Sequence, residues 1–433
     1  MKIAVIGTGY VGLPTAAGFT NLGFKVSCID IMEEKINKLK KGIIPIYEPG
    51  LSQLIKDGVE QGLLSFTTSM KEGVKDADVI ILAVGTPTDP ETNRADMKYI
   101  KGASKELAPL LNKYCVVVTK STVPIGTGSM VQDLIRKENP DAKFDYASIP
   151  EFLKEGAAVK DFFNPDRIVI GVESEKAKKI LATMYHSFEV KGTPITYYGI
   201  RSAEAVKYAS NSLLGIKISF INEIANLCEK SGANIEEVAE GIGLDSRIGK
   251  KFLQTGPGFG GSCFPKDMTE IVEYGKLVKA DQTLIETALN VNSSRKVYLS
   301  RRALNIIGSG EKTVGVLGLA FKAETDDVRY SASFDVVKAL LNKNFNVKAY
   351  DKKAMENFDK ELQNKNVNYC EDLYECVSEC DAIIIMTEWN EFTNMDLSKI
   401  KEKMKGNIII DYRNLLERDV VEKHKFSYYC LGK

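Results

Sequence analysis

Along the first 200 residues the apolar positions come in short continuous runs: KIAVIG, KVSCID, DVIILAVG, CVVVTK, DYASIP and RIVIGV. Between them lie stretches with helical spacing near residues 11–22, 32–41, 98–112, 127–138 and 174–187. A strand that is apolar on both faces is covered on both faces. Its alternation with helices predicts a parallel sheet between two helical layers. The pattern then changes. Residues 201–232, with AEAVKYASNSLLGIKISFINEIANLCEK, read as one long amphipathic helix; more helix and a glycine-rich loop follow, and 283–307 is helical again. KTVGVLGLAF, FNVKAYD, DAIIIMTEW and NIIIDYR restart the strand–helix alternation. The predicted fold is α/β: two Rossmann-like doubly wound α/β domains joined by a long central helix and helical connector. The predicted domains are 1–198, 199–305 and 306–433.

At 433 residues the chain is too long for one core, which agrees with two or three domains. Lys plus Arg equals Asp plus Glu at 58 each, so net charge predicts neither a nucleic-acid nor a membrane partner. MKIAVIGTGY runs directly into a strand and a glycine turn, unlike a secretory leader. The most helical apolar stretch, 203–228, carries Glu204, Lys207, Lys217 and Glu223, which rules it out as a membrane span. Eight cysteines lack paired spacing, and Cys370, Cys376 and Cys380 lack the C-x2-C pattern of a zinc site. A reduced, cytoplasmic protein without a metal is expected. With only His186 and His424 in the chain, catalysis is expected to rest on Lys, Asp, Glu and Cys.

Three groups of residues carry chemistry. In IAVIGTGYVGLPTAAGF, Gly7, Gly9 and Gly12 have the G-x-G-x-x-G spacing, directly after a strand and before a helix. The first two allow a tight turn and close approach of a pyrophosphate, and the third lets helix and strand pack closely. Asp30, ending the second strand, is placed to accept from both ribose hydroxyls and to repel a 2′-phosphate, so NAD is the expected cofactor over NADP. The loops VGTPT and STVPIGTG each follow a strand and are expected to line the cofactor.

The second group is Lys207 and Asn211, four residues apart and so on one helical face. Such a pair is either solvated or, in the functional reading, a lysine expected to have a lowered pKa beside an amide able to hold an oxyanion. Glu151 and Glu155 follow a strand end in PEFLKEGAAVKDF. The third group is GFGGSCFPKD, where one thiol sits on a glycine loop just before a helix start. A helix N-terminus and the adjacent Lys266 both favour a thiolate at Cys263. Pro265 suits the first helical position, and Asp267 serves as a base or as an orienting carboxylate.

These residues resemble the UDP-sugar dehydrogenases of the UDP-glucose/GDP-mannose dehydrogenase family. The resemblance extends over nearly the whole chain, through GTGYVGLPTA, IPIYEPGL, VGTPT, STVPIGT, PEFLKEGAAVKDF, NPDRIVIG, KYASNSLLGIKISFINEIANLCE, GPGFGGSCFPKD, GLAFKAETDDVRYS and TEW. It implies an NAD-dependent, two-step oxidation of UDP-glucose to UDP-glucuronate, with Cys263 attacking the sugar aldehyde to form a thiohemiacetal and then a thioester. By the same resemblance Lys207 and Asn211 hold the oxyanion, while Thr122, Glu151, Glu155 and Asp267 handle protons and water. Contacts to NAD fall to Gly7, Gly9, Tyr10, Val11, Gly12, Asp30, Lys35, Thr86, Pro87, Ser121, Thr122, Glu155, Lys266 and Arg329. Contacts to the UDP-sugar fall to Glu151, Phe152, Leu153, Lys154, Lys207, Asn211, Phe252, Gly258, Phe259, Gly260, Gly261, Phe321, Lys322 and Arg413. Arg247 matches an arginine that reaches the neighbouring subunit's site, which implies a homodimer.

The chain departs from the family's usual pattern at Ser331-Ala332-Ser333 and at Tyr350-Asp351-Lys352, both in the nucleotide-sugar half. The same chemistry on UDP-N-acetylglucosamine or UDP-N-acetylmannosamine is the nearest alternative. A non-catalytic NAD or redox sensor is another, and a single-step hydroxyacid dehydrogenase is a third.

Overall fold

The computed structural model describes residues 1–364 and 366–433. The chain divides into two compact units, Met1–Ser210 and Asn211–Lys433. The first is built on eight strands: β1 (Lys2–Ile6), β2 (Lys25–Ile29), β3 (Leu64–Thr67), β4 (Val79–Leu82), β5 (Cys115–Thr119), β6 (Phe144–Ser148), β7 (Ile168–Val172) and β8 (Ile195–Tyr198). They lie in the order β3-β2-β1-β4-β5-β6-β7-β8. The first six make the doubly wound order, with its reversal between β1 and β4.

The expected sheet was parallel throughout, and here the structure corrects it. Strand β7 runs antiparallel to β6, with Ala147 opposite Val172, and β8 follows β7 in parallel. A parallel neighbour needs a crossover that returns the chain to the start of the strand. Only the six-residue helix Ala158–Phe163 lies between β6 and β7.

The second unit carries β9 (Thr313–Leu317), β10 (Asn346–Tyr350), β11 (Val367–Tyr369), β12 (Ala382–Ile385), β13 (Ile408–Asp411) and β14 (Ser427–Tyr429). All run parallel, in the order β11-β10-β9-β12-β13-β14. Every strand expected from a continuous apolar run is present. The four that the pattern did not reveal, β3, β8, β11 and β14, are the short strands LSFT, ITYY, VNY and SYY. They lie at sheet edges, where half-exposed positions admit polar residues.

The long helix is Ile200–Ser231, 32 residues or about 48 Å. The division between the units falls within it, after Ser210. In the second unit the helices Phe264–Leu277 and Thr283–Ile307 follow. Two apolar cores fill the first unit, one on each face of its sheet: Val5, Phe19, Phe162 and Phe188 belong to one, Ile6, Ile80, Val117 and Tyr146 to the other. In the second unit Val314, Val336, Phe358 and Ile384 centre a third core. Among the described residues no helix is long and apolar enough to cross a membrane.

Candidate functional site

In the first unit β1 delivers its chain to a turn at Gly7, whose φ of +102° and tight packing admit only glycine. A Cβ there lies 2.4 Å from the Ala83 carbonyl oxygen. At Gly12, the first residue of the helix Gly12–Asn21, a Cβ lies 1.9 Å from the Gly7 oxygen. At Gly9 a Cβ meets nothing within 4 Å. The outer two glycines therefore fix the turn, while Gly9 keeps its backbone approachable, the division of labour a pyrophosphate cradle needs. Tyr10 and Val11 complete the loop and are half-buried.

Asp30 is already engaged by the protein. Its Oδ2 accepts from the Thr8 N–H at 3.0 Å, the Thr8 hydroxyl at 2.5 Å and Lys35 Nζ at 3.2 Å; Oδ1 accepts from Met32 N–H at 3.1 Å. Burial pushes this carboxyl up, but the Thr8 hydroxyl, the Met32 amide, Lys35 and the Thr8 amide outweigh it. The group is held below its ordinary value and stays ionised. Thr86 and Ser121 tie together the two loops expected to line the cofactor: Thr86 Oγ1 donates to the Thr122 carbonyl at 2.9 Å, and Ser121 Oγ to the Val84 carbonyl at 2.7 Å. Pro87 follows Thr86 in the same loop.

Glu151 and Lys207 meet in a buried ion pair, Nζ to Oε1 at 2.8 Å, with each side chain 4% exposed. The other carboxylate oxygen accepts the Leu153 N–H at 2.6 Å. Phe152 lies under the Arg167 guanidinium at 3.8 Å and near Lys207 Nζ at 5.5 Å. Lys154 is exposed and bound to Asp161 through both its amide and its ammonium. Glu155 is half-buried in the same loop.

In the second unit Cys263 is the N-cap residue of the helix Phe264–Leu277, partly exposed, with Ser262 Oγ 3.4 Å from its sulfur. Pro265 therefore takes the second helical position, not the first. Asp267 is wholly buried and has two partners, Asn211 Nδ2 at 2.6 Å and Lys266 Nζ at 2.5 Å. Its carboxylate accepts from the Asn211 amide, a contact that suits an orienting role. The Lys266 ammonium faces the same carboxylate.

The glycine loop ahead of Cys263 is closely packed. A Cβ at Gly258 lies 2.3 Å from Asn292 Oδ1, at Gly260 2.7 Å from the Tyr330 oxygen, and at Gly261 2.7 Å from the Phe321 ring. Gly261 N–H donates to the Arg329 carbonyl at 2.8 Å. Phe259 and Phe252 both pack against Phe264. The Arg413 guanidinium donates to the Phe321 carbonyl at 2.8 Å and to the Met386 carbonyl at 2.9 Å. Lys322 Nζ lies 5.6 Å from the Phe321 ring centroid. These predicted substrate residues thus share one region. Arg247 does not join them: its side chain is 87% exposed and forked onto Asp245.

Several positioning residues escaped the sequence reading. Glu48, within IPIYEPGL, accepts the N–H groups of Gly156 and Ala158, both at 2.8 Å, and so anchors the loop that carries Glu151 and Glu155. Glu204 reads in sequence as a solvated helix charge. It is in fact 2% exposed and accepts from Gly126 and Gly128 N–H at 2.6 and 2.8 Å, capping the helix Thr127–Glu138. Burial raises its carboxyl above the ordinary value despite those donors. Asn222, Asn292 and Arg295 fasten the glycine loop through Gly256 N–H, Phe259 N–H and the Gly256 carbonyl. A buried asparagine or arginine within helical periodicity is indistinguishable in sequence from an exposed one.

Residues 1–189 match the UDP-glucose/GDP-mannose dehydrogenase family's NAD binding domain, 201–294 its central domain and 315–418 its UDP binding domain. A UDP-glucose 6-dehydrogenase of Rhizobium meliloti (strain 1021) is 45% identical over 438 residues, covering 100% of both chains. A UDP-glucose dehydrogenase structure from the archaeon Pyrobaculum islandicum superposes with a TM-score of 0.90 at 36% identity, covering 99% of this chain and 96% of that one. A UDP-D-ManNAc dehydrogenase from Pyrococcus horikoshii superposes with a TM-score of 0.83 at 29% identity, covering 100% and 99%.

Proposed function

The chain belongs to the UDP-glucose/GDP-mannose dehydrogenase family, and on that premise we propose that it oxidises UDP-glucose to UDP-glucuronate with NAD, in two steps through intermediates on Cys263. The observation that supports this best is a thiol at the start of a helix whose first turn holds the buried Asp267 against Asn211. Oxidation of an alcohol to an aldehyde needs no thiol. Carrying the same carbon to the acid without releasing the aldehyde needs covalent capture.

The residues of the first unit fit NAD: Gly9 leaves the backbone approachable, Gly7 and Gly12 fix the turn, and Asp30 is ionised at the end of β2. Tyr10, Val11, Lys35, Thr86, Pro87, Ser121 and Thr122 would complete its site, with Glu155, Lys266 and Arg329 as further contacts. When bound, NAD accepts a hydride in each oxidation. The primary hydroxyl of the sugar gives up its proton to the protein, and the Cys263 thiolate adds to the aldehyde carbon. The Lys207 ammonium and Asn211 amide stabilise the oxyanion of the thiohemiacetal. Loss of a second hydride gives a thioester, and water held by Thr122, Glu151 and Glu155 displaces the thiol. UDP contacts fall to the glycine loop, Phe252, Phe321, Lys322 and Arg413.

A dimer belongs to the same proposal. On the long helix Leu213, Phe220 and Leu227 recur every seven residues and are 59%, 48% and 61% exposed, a stripe suited to a second copy. Light scattering should report an even assembly, and Arg247→Ala should weaken UDP-glucose binding without unfolding the chain. A fully active monomer contradicts both. The chemistry needs a reduced thiol and so a cytoplasmic setting.

The reaction itself is tested by stoichiometry. Each UDP-glucose should yield two NADH and no aldehyde, and Cys263→Ala should lose acid formation by a factor of about 1,000 or more. Near wild-type production of UDP-glucuronate by that variant would sink the mechanism. Faster turnover of UDP-N-acetylmannosamine or UDP-N-acetylglucosamine in the same assay would move the proposal to that sugar, and no NADH with any of the three would leave only a sensor.

A further inference from the structure

The residue after Arg413 holds a backbone that few side chains accept. Asn414 has a φ of +52°, in the left-handed region where asparagine is among the better tolerated residues. Its side-chain amide carries both a donor and an acceptor, and both go to one residue. Nδ2 donates to the Leu431 carbonyl at 2.9 Å, and Oδ1 accepts the Leu431 N–H at 2.9 Å. Leu431 is a firm anchor. Its side chain is buried in the core of the second unit, and the Cys430 carbonyl before it accepts from Arg302 at 2.6 Å. Gly432 after it donates its N–H to Glu229 and accepts that of Ile235, both at 2.9 Å. At the other end of the segment the buried Asp411 accepts the N–H groups of Arg413, Leu415 and Leu416 and the Tyr428 hydroxyl. Arg413 Nε donates to the Met386 carbonyl, with Glu388 3.2 Å away, and Nη2 donates to the Phe321 carbonyl. Nη1 makes no hydrogen bond among the described residues and lies 3.5 Å from the Cβ position of Gly256 in the glycine loop. Arg413 and Asn414 border a cavity of about 360 Å³ together with Gln254 and Thr255, at the start of that loop.

We propose that Asn414 is a positioning residue for the UDP moiety, acting through Arg413: its amide pair with Leu431 holds the left-handed turn that keeps Arg413 Nη1 beside the glycine loop, available to an anion. A guanidinium contact to a phosphate oxygen is strongest when the fork is set beforehand, because a side chain already immobilised loses no rotamer freedom on binding. Asp411 fixes the start of the segment whatever side chain stands at 414. The amide pair constrains its middle, on the residue bonded to Arg413 itself. Substrate, aldehyde and acid all carry the same diphosphate, remote from the reacting carbon. The stabilisation is therefore equal along the reaction and falls on affinity, not on the chemical steps.

This inference rests on the proposed UDP-sugar contacts, and binding of UDP alone tests it apart from turnover. Calorimetric titration of the whole protein with UDP should give a Kd about 10-fold higher for Asn414→Gly than for wild type, since glycine accepts the left-handed φ and lacks only the amide. In the NADH assay that variant should raise the KM for UDP-glucose by about 10-fold, with kcat and the KM for NAD within about twofold. Asn414→Asp keeps an acceptor for the Leu431 N–H but sets a second oxygen against the Leu431 carbonyl, and it should weaken UDP in the same way. Arg413→Ala should weaken UDP more than either, and adding Asn414→Gly to it should weaken UDP no further. Wild-type affinity for UDP in Asn414→Gly overturns the inference however well the enzyme turns over, and a lowered Tm with that affinity unchanged would make the amide pair a structural clamp alone. A further loss of about 10-fold in the double variant also overturns it, because Asn414 would then act without Arg413. If wild type makes no NADH, the oxidation falls and the UDP titrations still decide the role of Asn414.

Discussion

In the first unit Gly7 N–H donates to the Ile29 carbonyl at 2.7 Å and Gly7 has a φ of +102°; in the second, Gly318 N–H donates to the Tyr350 carbonyl at 2.8 Å and Gly318 has a φ of +98°. Each glycine ends the first strand of a sheet with the same doubly wound order, and each is followed across the sheet by an acid, Asp30 or Asp351. There the likeness ends. Asp30 is half-buried and takes one amide of its glycine loop, that of Thr8. Asp351 is wholly buried and takes the Leu319, Ala320, Lys353 and Ala354 amides, with the Trp389 indole N–H at 3.4 Å. Moreover, Gly7 is followed within five residues by a helix, whereas the helix after Gly318 begins only at Ser333. Strand order is common to both units. What fits one of them to a dinucleotide is the loop after the first strand and an acid left partly available for a ribose.

Breaking the shared feature should have the largest effect. Gly12→Ala places a methyl 1.9 Å from the Gly7 oxygen, and Gly318→Ala places one 2.1 Å from Thr387 Oγ1 at a left-handed φ. Each should cost about 3 kcal/mol or more and lower Tm by roughly 6–12 °C. A melting temperature within 2 °C of wild type for either would show that the turn is not rigid. Asp351→Asn, which replaces an acceptor of four amides with a group that also donates, should cost about 2–3 kcal/mol in denaturant titration and leave the NAD-to-NADP preference unchanged. Asp30→Asn should do the reverse. It should cost only about 1 kcal/mol, its group being half-buried, while the preference for NAD over NADP falls by about tenfold. Equal cofactor ratios in Asp30→Asn and wild type would erase the proposed contrast.

The smallest effect is one of pH. The Asp30 carboxyl is held below its unfolded value of about 3.9. Its stabilisation is therefore complete above that value and is lost as pH falls through the lower, folded one. The stability gap between wild type and Asp30→Asn should be constant from pH 7 to about 5 and close below 4. A gap that widens on acidification would mean that Asp30 is not held ionised by its neighbours.

How much of this was legible in sequence depended on periodicity. Continuous apolar runs located ten strands, and helical spacing located the helices that frame the site. Edge strands such as Val367–Tyr369 were lost because three residues with one polar position carry no period. The reversal at β7 was lost because a run such as RIVIGV looks the same in either direction. Residues announced by a spacing or a glycine context, namely Asp30, Lys207, Asn211 and Cys263, could be singled out as candidates from sequence alone. Those whose role is to hold a loop from elsewhere, such as Glu48 with Gly156 or Arg295 with Gly256, depend on partners over a hundred or nearly forty positions away, which no local pattern encodes. The domain boundaries drawn from the pattern put the first break near 198. Contacts put it after Ser210, because the first turns of the long helix carry Glu204 and Lys207 to partners in the first unit.

The glycine loop before Cys263 carries a consequence for the entropy of binding. Gly256, Gly258, Gly260 and Gly261 would leave a free chain exceptionally mobile, and ordering them costs more than ordering any other residue type. Here Asn222, Asn292, Arg295 and the Arg329 carbonyl have imposed that order within the protein itself. The penalty is met once, at folding, and does not recur with each molecule bound. A ligand that settles on this backbone therefore loses its own freedom but takes almost none from the loop, and a segment that looks like a flexible tether in sequence behaves as a preformed mould.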